Sequence, residues 1–88
     1  MQLELIGELD VSTAPELARY VDEIIAGQGD VRVDCSRLTF ADSSGLDTLI
    51  RLAKALGAQE RTLVLTDVVP TVRRAIEVLH ITDLVQLA

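Results

Sequence analysis

The chain has 88 residues, of which 49% are hydrophobic and 25% charged, with one cysteine and a formal charge of −6. That length makes one domain with a single modest core, and the lone Cys35 excludes an internal disulfide framework and suits a reducing compartment. Fourteen acidic against eight basic residues repel phosphate backbones, so direct nucleic-acid binding through a broad basic face is not expected. No apolar run approaches the roughly 18 residues of a membrane span and the start does not read as a signal peptide, so the expectation is a cytoplasmic domain without membrane insertion.

Leu3, Leu5 and Leu9 alternate with Glu4 and Glu8 and predict a half-buried strand. Thr13-Ala14-Pro15-Glu16 has capping-box spacing, with Pro15 tolerated in a first turn. Leu17, Val21, Ile24 and Ile25 then share one helical stripe, which Gly27 and Gly29 end. Val31, Val33 and Cys35 predict a second strand. After a short loop, Leu46, Leu49, Ile50, Ala53 and Leu56 mark a second helix, stopped at Gly57. Thr62 to Thr66 reads as a strand buried on both faces. Pro70 opens a third helix carrying Val72, Ala75, Ile76 and Leu79, and Leu84 to Leu87 fit a short last strand. The order β-α-β-α-β-α-β predicts an α/β domain with a mostly parallel sheet and packed helices. Strand order does not follow from this pattern.

Most catalytic signatures are absent. There is no glycine-rich phosphate loop, no cysteine pair and one histidine only, so no metal or cofactor site and no histidine-based triad is expected. His80 falls near the end of the third helix, where an imidazole suits the dipole. Cys35 is in phase with Val31 and Val33 and reads as a small buried hydrophobe. Arg73 and Arg74 belong on a solvated helix face.

One segment stands apart, Phe40-Ala41-Asp42-Ser43-Ser44-Gly45-Leu46, where the second strand hands over to the second helix. Asp and Ser are strong N-caps, so simple capping explains much of it. A plain cap does not need two serines, however, and Gly45, a poor helix former, allows another molecule to approach the backbone. A hydroxyl at a helix N-terminus is accessible, and the free amides and dipole there accommodate a phosphate. Such a residue can be a switch without being a catalyst.

Asp42-Ser43-Ser44-Gly45-Leu46 after a hydrophobic strand resembles the signature of STAS domains, and more narrowly of bacterial anti-sigma factor antagonists. Gly7-Glu8-Leu9-Asp10 followed by Thr13 resembles that family's other hallmark, a strand ending beside the switch serine. Pro70 to Arg74 and Ile81 to Leu87 resemble its last helix and strand. The resemblance covers nearly all of residues 1–88. It implies a regulatory protein rather than an enzyme. Its unphosphorylated form would bind an anti-sigma factor serine kinase and free the sigma factor, until phosphorylation of Ser43 ends the association. ATP and Mg would belong to the kinase, and a phosphatase would restore the active form. Asp42 would shape the site, Ser44 and Gly45 would form contact surface, Leu46 would anchor the helix, and Asp10 and Thr13 would complete the docking patch.

Family members usually have a strand before the one ending in Gly-Glu-Leu-Asp, which here would need residues before Met1. The domain is then either a minimal member or one shortened at its start, and Leu3 to Leu9 would offer an unpaired edge for self-association. The alternative within the resemblance is a STAS subunit of a membrane transporter or a stress-signalling scaffold. A small enzyme or phosphocarrier using Ser43 as nucleophile would need a base, and His80 is distant in sequence.

Overall fold

The computed structural model describes residues 1–88. Four strands, β1 (Gln2–Leu9), β2 (Val31–Ala41), β3 (Leu63–Thr66) and β4 (Gln86–Leu87), form one parallel sheet in the order β1-β2-β3-β4. The helices are α1 (Ala14–Ala18), α2 (Val21–Ala26), α3 (Ser43–Ala58) and α4 (Pro70–Val78), and a 3₁₀ turn (Ile81–Asp83) precedes β4. The α/β class and the parallel pairing are as the sequence predicts.

A strand order that never reverses, joined by crossovers of one hand, places all connections on the same side of the sheet. Buried residues of strands and helices accordingly form one cluster of 19, built on Val31, Val33, Cys35, Leu38, Leu63 and Leu65 from the strands and Leu46, Leu49, Leu52, Leu56, Val72 and Ile76 from the helices. Out-of-phase strand residues such as Gln2, Glu4, Glu8 and Arg32 are exposed.

Several boundaries differ from expectation for local reasons. The first helix is interrupted, because the Tyr20 amide bonds Leu17 O (3.0 Å) three residues back and tightens the turn between α1 and α2. Thr13 accepts no capping bond from the helix; its hydroxyl donates to Glu8 O at the strand end instead. The second strand runs on to Ala41, through the region expected to be a loop. Two register shifts against β1, between Glu4 and Ile6 and between Gly7 and Glu8, each insert one extra residue into β2. These bulges turn the spacing of buried positions from two, at Val31, Val33 and Cys35, to three, at Leu38 and Ala41.

Helix α3 passes through Gly57 to Ala58. Its stop is Glu60, left-handed at φ 59°, with the Arg61 amide reaching back to Leu56 O at 2.9 Å, a closure usually given to glycine. Leu79 is 41% exposed rather than buried, and His80, left-handed at φ 58°, lies just past α4. The last strand is shorter than Leu84 to Leu87, since Leu84 and Val85 are held by bonds to Ile81 O.

Candidate functional site

The carboxyl end of β1 and the start of α3 are locked together. The Asp42 amide donates to Leu9 O (3.1 Å), and Gly45 lies so close beneath that a Cβ on it would collide with the Leu9 carbonyl and the Asp10 nitrogen. Backbone cannot swing aside as a flexible side chain can. Gly45 therefore serves a contact within the chain, not the approach of another molecule. Being buried, it offers no side-chain surface, and Leu46 is also buried, in the core rather than on a contact surface.

Asp42 is the N-cap of α3: extended at φ −109° and ψ 178°, it accepts from the Gly45 amide at 2.9 Å. One residue on, Ser43 occupies the first helical position. Ser43 and Ser44 are both exposed. Their amides lie in the first turn of a 16-residue helix, where donors lack intrahelical partners and the dipole favours negative charge.

The loop after β1 folds around Asp10. One oxygen of its carboxylate accepts from the Ser12 amide (2.9 Å), the Ser12 hydroxyl (2.7 Å) and the Thr13 amide (3.1 Å), an Asx-type turn. These bonds hold the Asp10 carboxyl below its ordinary range. The Ser12 hydroxyl acts most strongly, partial desolvation works the other way, and the Ser12 and Thr13 groups add to the lowering. Thr13 Oγ1 accepts from the Asp10 amide (2.9 Å) and donates to Glu8 O (2.7 Å). Asp10 and Thr13 thus shape the loop from within. Sequence reasoning missed Ser12, whose place is legible in the Asp-x-Ser-Thr spacing of an Asx turn. It also missed Val11, 73% exposed at the loop tip. Val11, Ser44, Thr48 and Arg51 border a shallow depression between α1 and α3.

The structure brings together all seven residues singled out by sequence, in three tiers: Ser43 and Ser44 outward, Asp10, Thr13 and Asp42 half-buried as their frame, Gly45 and Leu46 beneath. His80 does not join them. Helix α4 begins by the end of β2, where Thr71 Oγ1 donates to Thr39 O (3.5 Å), and His80 follows its opposite end. Cys35 is buried, its thiol pushed up to about 11 by burial first and by the nearby Asp34 and Asp67 carboxylates second.

A one-sided parallel sheet whose strand ends meet an exposed, hydroxyl-bearing helix start defines a small α/β domain that presents surface chemistry rather than a crevice. The chain belongs to the STAS domain family, whose model described as "Mlab, STAS domain" matches residues 1–86. The anti-sigma-B factor antagonist of Staphylococcus epidermidis is 29% identical over 87 residues, covering 98% of this chain and 81% of that protein. A putative anti-sigma factor antagonist from Thermotoga maritima shares the fold with a TM-score of 0.84 at 19% identity, covering 97% of this chain and 77% of its own. A sulfate transporter family protein from Wolinella succinogenes is similar with a TM-score of 0.81 at 17% identity, covering 93% and 67%. No helix is long and apolar enough to cross a membrane.

Proposed function

We propose that the chain is an anti-sigma factor antagonist whose association with an anti-sigma factor kinase is ended by phosphorylation of Ser43. The observation that carries this reading is the exposed Ser43 at the first position of α3, over a frame fixed by Asp42, Gly45 and Leu9. A partner kinase carrying ATP and Mg can reach that hydroxyl without opening the core. Phosphate adds nearly two negative charges at the end of the helix that tolerates them, so the fold persists while the docking surface changes in charge and shape. The name of the Staphylococcus relative supports the same role. Asp10 and Thr13 would hold the neighbouring loop in shape, with Val11 and Ser44 as contact groups, and a phosphatase would return the domain to its binding state.

The test is pull-down from source cells followed by intact-mass measurement, repeated on variants. Ser43→Ala should retain the kinase partner and gain no phosphate, and Ser43→Asp should stay folded and lose the partner. Phosphate on Ser44, or on neither serine, would remove the site assignment. Capture of a transporter ATPase instead would replace the role with that of a transporter subunit.

A further inference from the structure

Helix α3 carries an outer stripe that the core does not use. Ser43, Asp47, Ile50, Lys54 and Gly57 follow one another at alternating four- and three-residue spacings, which puts them on one side of the helix. Ser43, Asp47, Lys54 and Gly57 are exposed, and Ile50 is half-buried, packed on its inner side against the core.

Gly57 has no task inside the chain. Its backbone is not left-handed, and a Cβ built on it would meet nothing within 4 Å. Glycine weakens a helix relative to alanine, and what it offers in return is close approach by a second backbone. Gly45 has such a neighbour in Leu9. Gly57 has none within the molecule.

The charges decide what approaches. Asp47 lies one turn before Ile50 and Lys54 one turn after it. A two-fold axis at Ile50 therefore sets Asp47 of each copy over the partner's Lys54, Ile50 over the partner's Ile50, and Ser43 over the partner's Gly57. Parallel helices would instead oppose Asp47 to Asp47 and Lys54 to Lys54. Lys54 has no ion pair within the chain, and Asp47 holds Arg51 through one carboxylate oxygen at 2.8 Å, leaving the other for an incoming lysine.

We propose that two copies of this chain associate through antiparallel α3 helices, in a dimer centred on Ile50 that covers Ser43. One helix against another is a small interface, so the pairing is weak, with a dissociation constant on the order of 0.1 mM. Its regulatory consequence rests on the Ser43 reading: a kinase reaches the hydroxyl only in the monomer, so the paired form is a reserve sheltered from modification.

Sedimentation equilibrium of the full chain from about 10 µM to about 1 mM should show monomer–dimer exchange. Asp47→Lys and Lys54→Asp each set like charges together and should weaken it at least roughly tenfold. Asp47→Lys should do so although it reduces the net negative charge that keeps copies apart. Mixing the two variants should restore association, since each lysine of one then faces an aspartate of the other. Gly57→Gln should abolish pairing while the unfolding midpoint holds or rises, because a side chain there obstructs only the second copy. A monomer throughout, a dimer indifferent to either charge change, no recovery on mixing, or a dimer that survives Gly57→Gln would overturn the proposal. No kinase, ATP or partner protein enters these measurements, so their failure leaves the Ser43 reading standing, and an unmodified Ser43 would leave the dimer standing.

Discussion

Gly45 is the residue with the least room to change. A methyl group there meets the Leu9 carbonyl and the Asp10 nitrogen rather than the tip of a side chain, so either α3 or the end of β1 must shift. Gly45→Ala is expected to lose about 2 kcal/mol or more in urea unfolding, in the range of an overpacked core, although alanine is the better helix former. An unchanged midpoint would show that the junction can relax. Arg61, unremarked in the sequence, is the second such residue. Buried two residues before β3, it donates to Gly29 O (2.7 Å), Ile25 O (3.1 Å), Ile24 O (3.1 Å) and Gln59 Oε1 (2.7 Å). Two of these are carbonyls in the last turn of α2, where helix ends lack intrahelical donors; Ile24 O also takes the Gly27 amide (3.2 Å). Arg61→Met should cost about 2–3 kcal/mol, and Arg61→Lys should recover little, since an ammonium cannot span four acceptors. The Asp-Ser-Ser-Gly-Leu motif marked the junction of β2 and α3, but periodicity and residue type could not tell that Gly45 serves Leu9 or that an arginine closes α2. Both depend on partners distant in sequence.

At the scale of the element, β2 shows how far pattern reading reaches. Val31, Val33 and Cys35 keep strict alternation and were legible; Leu38 and Ala41 were not, because two bulges shift the inward phase. In the same way, Glu60 ends α3 from a left-handed conformation that its residue type does not advertise. Cys35 gives β2 a measurable signature. Its thiol titrates near 9.0 when free of these surroundings and about 11 in the fold, so the unfolded chain loses its proton first as pH rises. Stability is then complete below about 9 and falls between about 9 and 11, by roughly 2–3 kcal/mol over two units. Denaturant titrations across that range, compared with Cys35→Ala, should show the parent's additional decline. Parallel curves would mean the thiolate is tolerated. At pH 8 the thiol should react with aromatic disulfides only as fast as the fold opens.

At the scale of the molecule, the decisive property is the winding. Doubly wound sheets reverse direction and open a crevice at the reversal, where small ligands bind. In the order β1-β2-β3-β4 nothing reverses, helices accumulate on one side, and the strand-end rim is left for recognition. Alternation of strands and helices made the class legible, whereas the winding direction required knowing which strands pair.

That winding has a consequence for how the protein is made. Every strand lies beside the one synthesised just before it, so each new strand–helix unit can dock as it leaves the ribosome without waiting for a distant partner or threading between strands already joined. The short β4 merely completes a growing edge.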